Sequence, residues 1–195
     1  TLDEFKTTAA IAAKGGHYIS AFQPDEAKFW MSAQAAAAGA TWYSAENGAW
    51  TISVDSPESA VVANFWQSMI DDGTTTVLNR WSDAFAAALT DQTLIGTIGA
   101  AWEAPLLANA MAGTENDGQW AVAPLPNYGA GKLTGPDGGS GMVVLAGCEH
   151  PERAVAFANF FNTQIPDLVS QGLVVAAKGD PRCDRCVLRW PRRVW

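Results

Sequence analysis

A chain of 195 residues can bury one ordinary core or two small ones that share an interface. Its composition, 48% hydrophobic and 16% charged with 18 glycines, is that of a globular protein, and no apolar run approaches the roughly 18 residues that a membrane span needs. The formal charge of -8 repels phosphate backbones, and the seven Lys and Arg before Asp180 are scattered singly, which argues against nucleic acid as a partner.

The first residues, Thr1-Leu2-Asp3-Glu4-Phe5-Lys6, carry no basic stretch followed by an apolar core, so this stretch holds no secretory signal. Three cysteines, Cys148, Cys183 and Cys186, are too few for a disulfide framework.

Helix start and stop signals recur along the chain. Thr1 and Glu4 form a capping box ahead of an apolar face of Leu2, Phe5, Ala9, Ala12 and Ala13, and Gly15 closes the element. Pro24-Asp25-Glu26 opens a second helix through Phe29 and Trp30 to Gly39, with acids facing the positive end of the dipole. Residues 50–54 alternate apolar and polar, as in a hairpin or edge strand. Ser56-Pro57-Glu58 starts a helix through Val62, Phe65, Trp66, Met69 and Ile70 to Gly73.

Ser82-Asp83 opens a helix ending near Thr90, residues 93–99 read as a buried strand, and residues 103–112 read as a helix with Gly113 beyond it. Strand followed directly by helix predicts α/β architecture. Residues 120–126 are extended, and residues 127–141 hold six Gly and one Pro, the texture of a long loop or a crossing between lobes. Residues 142–146 read as a short apolar strand, Pro151-Glu152-Arg153 opens a helix through Phe157, Phe160 and Phe161, and residues 166–171 add a helical turn closed by Gly172. From Asp180 the pattern breaks down: 16 residues hold five Arg, two Cys and two Trp without helical or strand period, as expected of an out-of-frame or recombinant tail or of a disordered natural one.

Several catalytic signatures come close and fail. Gly138-Gly139-Ser140-Gly141-Met142 lacks the last glycine of a nucleophile elbow, and neither His17 nor His150 is placed by sequence as its base. Gly131-Lys132-Leu133 lacks the hydroxyl that a phosphate loop needs for magnesium. Cys183 and Cys186 with Cys148 and His150 make one unmatched CxxC, too little to predict a zinc site. Glu103 and Asp137 could pair as glycosidase acids only at a separation that sequence does not supply. No catalytic residue, metal ligand or cofactor is therefore predicted.

The unusual feature is tryptophan, nine in the chain. Trp66, at helical spacing with Val62 and Ile70, reads as core, and the same reading is preferred for Trp30 and Trp81. Trp102 differs, because it stands where a strand turns into a helix, the usual ligand position in α/β folds. An aromatic plane there suits the apolar face of a sugar, with helix amides and Glu103 for its hydroxyls.

Read in order, the landmarks are Thr1-Leu2-Asp3-Glu4-Phe5, Gln34 to Gly39 before Trp42, Asp55-Ser56-Pro57-Glu58 leading to Phe65-Trp66 and Asp72-Gly73, and Phe85 before Gly99-Ala100-Ala101-Trp102. They continue with residues 120–126, Gly138-Gly139-Ser140-Gly141 before a Val-rich strand, and His150-Pro151-Glu152-Arg153-Ala154 before Phe157 and Phe160-Phe161. This ordered set resembles the second half of the family 1, maltose-binding-protein-like solute-binding proteins of ABC importers.

The resemblance implies a two-lobed periplasmic-binding-protein-like α/β fold, here mostly one lobe plus a partial return into the other. Residues 1–125 would form the second lobe, 126–141 the Gly-rich crossing, 142–179 the partial return, and 180–195 an anomalous tail. It further implies hinge closure on a small carbohydrate, delivery to ABC permease subunits, an extracytoplasmic location, and a membrane anchor absent from this chain. Trp102 would stack on the solute, Gly139 and Ser140 would approach it through backbone groups, and Glu103 and Trp42 would contribute. The alternatives are a carbohydrate-active enzyme with aromatic subsites, or a truncated fragment without function of its own.

Overall fold

The computed structural model describes residues 1–131, 134–170 and 173. The anomalous tail, with Cys183 and Cys186, lies outside them, as do Lys132 and Leu133 of the phosphate-loop-like stretch and the expected helix end at Gln171 and Gly172. The chain divides into two compact units: residues 1–100 with 123–138, and residues 101–122 with those described from 139 on.

In the first unit, α1 (Leu2–Lys14) begins with the capping box read from sequence, Thr1 Oγ1 accepting from the Glu4 amide at 3.2 Å. Strand β1 (Ala21–Phe22) leads into a 3-10 turn (Pro24–Glu26) and then α2 (Ala27–Ala37), so the expected single helix is two elements. Strands β2 (Tyr43–Glu46) and β3 (Ala49–Ile52) form an antiparallel hairpin across Asn47-Gly48, both with positive φ as such two-residue turns require. Helix α3 (Pro57–Asp71) is capped by Ser56, β4 (Thr76–Val77) follows, and α4 (Asp83–Thr90) is capped by Ser82.

The core of this unit is aromatic. Trp30 of α2 and Trp66 of α3 are buried with ring centroids 4.6 Å apart, Phe22 meets the Trp30 edge at 5.7 Å, and Phe65 meets Trp66 at 5.3 Å. Such pairs contribute about 0.5–1.5 kcal/mol each beyond the area they bury. The alanines of α2 are what let the rings approach, since Ala33, Ala35 and Ala37 are buried and occupy little of the space between helices.

These rings bring polar atoms inside, and Gln34 satisfies them. Its buried Oε1 accepts from Trp66 Nε1 at 2.8 Å and from the Tyr128 hydroxyl, while Trp30 Nε1 donates to the Ile98 carbonyl at 2.8 Å. Burial pushes the Tyr128 phenol far above its usual range, against a smaller opposing contribution from Trp66, so the hydroxyl stays protonated and donates.

Strand β1 pairs with β4 in parallel, Ala21 opposite Thr76 and Phe22 opposite Val77, and Tyr18 bridges Leu94 in parallel. Three extended segments thus run in one direction with their carboxyl ends at one edge. The strand expected over 93–99 is reduced to that bridge, with Tyr18 N–H donating to Thr93 O and Ile95 N–H to Tyr18 O. Gly96 explains the crowding beyond it, since a Cβ there would lie 2.5 Å from the Ile19 carbonyl oxygen.

The second unit contains α5 (Glu103–Met111), α6 (Pro151–Thr163) and α7 (Ile165–Ser170). Leu107 and Met111 of α5 and Leu168 of α7 are buried, whereas α6 buries no residue and Val143 is 80% exposed. Residues 142–146, expected as a strand, have no ladder partner among the described residues.

Gln34→Leu removes the shared acceptor and strands two buried donors at about 1–3 kcal/mol each, so the denaturation midpoint should fall with the m-value unchanged. An unaltered midpoint would show that the amide does not hold this core. Gly96→Ala should cost about 1–3 kcal/mol through backbone displacement, measured in the same way; equal stability would mean that the Ile19 segment yields freely.

Candidate functional site

Ligands of open α/β folds sit beyond the carboxyl ends of parallel strands, because helix amides and loop side chains converge there. In the first unit that edge is built by Gln23, directly after β1, by residues 78–81 after β4, and by residues 96–98 after the Leu94 bridge. The β1–β4 register continues into the loops: Leu78 N–H donates to Phe22 O at 3.0 Å, and Arg80 N–H to Asp25 Oδ1 at 3.0 Å.

Gln23 is fully buried. Its Nε2 makes a long bond to Thr97 Oγ1 at 3.4 Å, and its Oε1 accepts no hydrogen bond among the described residues. Such an acceptor is costly to a fold and calls for a reason beyond packing.

Arg80 is the charged component of this edge. Its side chain is wholly buried, and Nη1 reaches Asp137 Oδ2 at 3.4 Å, the carboxylate being almost as inaccessible. Gly135, two residues before, lies against the Ala33 carbonyl so closely that no Cβ would fit. Segment 134–137 is therefore fixed on the first unit by a backbone contact to α2 and an ion pair to the loop after β4. Asp137 serves that pair.

The residues singled out from sequence fall in both units. Trp102 is partly buried and precedes α5 in helical conformation without capping it by its side chain. Glu103 is buried in the first turn of α5, where the helix dipole favours its charge. Gly139 and Ser140 are exposed, Gly139 with φ of 126° and Gly138 with φ of 80°, a backbone suited to glycine alone. Trp42 stands in the first unit at the base of the hairpin, its indole N–H donating to Ser59 Oγ of α3 at 2.7 Å.

Trp30 and Trp66 are core as read, but Trp81 is not: it is 49% exposed, because the left-handed turn before α4 carries its ring outward. Gln23, Thr97 and the Arg80–Asp137 pair were not singled out from sequence. The available signal was a lone polar residue between Ala21-Phe22 and the helix-opening Pro24, in a strand too short to show alternation. Among the described residues there is no metal-binding cluster and no helix long and apolar enough to cross a membrane.

The chain matches a family model described as bacterial extracellular solute-binding protein over residues 1–164. No curated protein matches it at a significant level. Among solved structures it is similar to the galacto-N-biose-/lacto-N-biose I-binding protein of the ABC transporter from Bifidobacterium longum, in complex with lacto-N-biose. The two are 43% identical with a TM-score of 0.81, over 92% of this chain and 44% of that one. An ABC-transporter-associated binding protein from B. animalis subsp. lactis, in complex with β-1,6-galactobiose, aligns with a TM-score of 0.71 at 19% identity, over 90% of this chain and 44% of that one. At that lower identity the likeness speaks for the fold alone.

The chain thus spans less than half the length of the binding proteins it matches, and its α/β fold is part of a periplasmic-binding-protein architecture. It belongs to the family of bacterial extracellular solute-binding proteins.

Proposed function

We propose that this chain is the greater part of one lobe of a carbohydrate-binding protein that closes on a short saccharide and delivers it to an ABC permease at the outer face of the membrane. The observation that carries this reading is the 43% identity, over 92% of the chain, with a protein solved in complex with lacto-N-biose. Binding rather than catalysis is the work of such a site, because family and structural neighbours are binding proteins.

The chemistry of the residues supports the same reading. A neutral sugar offers hydroxyls that both donate and accept, together with flat C–H faces. Thr97 supplies a hydroxyl at the strand edge. In the second unit Trp102 offers an aromatic plane, Glu103 a carboxylate, and Gly139 and Ser140 main-chain groups bare of bulk; in the first, Trp42 offers a further indole. Hinge closure is how a binding protein of this kind retains its solute, since each hydrogen bond gains strength as water leaves.

Titration with lacto-N-biose and β-1,6-galactobiose should raise the thermal midpoint saturably with one of them, and Trp102→Ala should weaken that binding by about 1–3 kcal/mol with little loss of stability. A cooperative melt that neither sugar shifts would sink the proposal. Gln23→Leu tests the core alone: it removes a buried acceptor without a protein partner, so the denaturation midpoint should hold or rise. A lower midpoint would show that the amide supports the packing.

A further inference from the structure

Asn47 and Gly48 form the tip of the β2–β3 hairpin, with φ of 52° and 77°. Asn47 is the one asparagine of the sequence that a glycine follows. That order has a chemistry of its own. The backbone nitrogen after an asparagine can attack the side-chain carboxamide, and a glycine, lacking a Cβ, leaves that nitrogen unshielded. Beyond its chain neighbours, nothing lies within 4 Å of where a Gly48 Cβ would stand, so no other part of the protein screens the approach.

The hairpin supplies the remaining conditions. Its ladder ends at the Glu46–Ala49 pair, which leaves the peptide group between Asn47 and Gly48 outside the ladder, and residues 45–50 are all exposed. Water and base therefore reach the Gly48 amide. With both residues left-handed, as in a type I′ turn, the Gly48 nitrogen lies on the far side of the main chain from the Asn47 Cβ. Flipping that one peptide unit gives a type II′ turn, in which Asn47 keeps its positive φ, its ψ swings to about −120°, and the nitrogen comes round to the Cβ side. A five-membered ring then closes through Cγ. The flip leaves the strands paired, because both turn types suit a two-residue hairpin and glycine accepts either sign of φ. Two strands of four residues, with Trp50 and Ile52 of β3 74% and 68% exposed, hold such a turn only loosely against local opening.

We propose that Asn47 is a site of spontaneous covalent modification, closing to a succinimide and opening to aspartate and isoaspartate. Gly48 N forms a bond to Asn47 Cγ, the Cγ–Nδ2 bond breaks, and ammonia leaves with the amide proton. Water then adds to one of the two ring carbonyls, and nothing is oxidised or reduced. Opening at Cγ gives aspartate; opening at the main-chain carbonyl gives isoaspartate, whose backbone runs through Cβ and Cγ. Either product places a second carboxylate beside Glu46, in a chain whose formal charge is already -8. Isoaspartate also lengthens the turn by one backbone atom, which a two-residue loop does not absorb while Glu46 stays opposite Ala49 and Ala45 opposite Trp50.

The test ages the chain in mildly alkaline buffer made with heavy-oxygen water, then digests it at acid pH, where ring closure stops, and reads the peptides by mass spectrometry. The Asn47 peptide should exchange its amide for a carboxyl carrying solvent oxygen, as a mixture of aspartate and isoaspartate. It should do so several-fold faster than the peptides holding Asn79, Asn109 and Asn127. Asn47→Gly, whose Gly-Gly pair still suits the turn, should remove the main acidic species that ageing produces on anion exchange. Ageing in urea separates the turn from the bare sequence order, and the folded and unfolded chains should react within a few-fold of each other. A folded chain that stays intact while the unfolded one reacts would overturn the proposal, as would an Asn47 no faster than the other asparagines.

Discussion

The first unit depends on one carboxamide. Two helices can bring tryptophans to 4.6 Å only if the indole nitrogens they bury find acceptors, and the Trp66 N–H finds Gln34 Oε1 on the facing helix. The same oxygen takes the Tyr128 hydroxyl, so one side chain joins α2, α3 and the returning segment at 123–138. An apolar residue at position 34 would fill the volume and leave both donors dry, which is why this core carries a polar centre.

The described chain was legible wherever local chemistry decides structure. Thr1, Pro24, Ser56-Pro57, Ser82 and Pro151 announced their helices because caps and proline act over one turn, and the structure begins its elements there. The strands were less legible, since two-residue strands have no period to detect and their pairing is set by partners more than fifty residues away. Residues 142–146 look like a strand by composition, yet β structure needs a partner that no local run supplies.

The candidate site divides along the same line. Trp102 and Glu103 were singled out because a turn from extended chain into helix is visible in sequence. Gln23 was missed because its meaning lies in an absent acceptor bond, and Arg80 because its partner Asp137 is 57 residues away. Trp81 was misread because composition favours burying an indole, whereas its left-handed backbone turns it outward. Residues that recognise ligands tend to break the local rules that make a sequence readable.

The bond from Tyr128 to Gln34 closes a loop of 94 residues, across the excursion of 101–122 into the second unit. Synthesis runs from the amino terminus, so α1, α2 and α3 leave the ribosome long before the residue that completes their core. During that interval the cluster around Trp30 and Trp66 lacks Tyr128, and such late closure is slow because a long loop must be ordered first. The nascent chain must therefore hold an aromatic cluster against misassociation until its own later segment arrives.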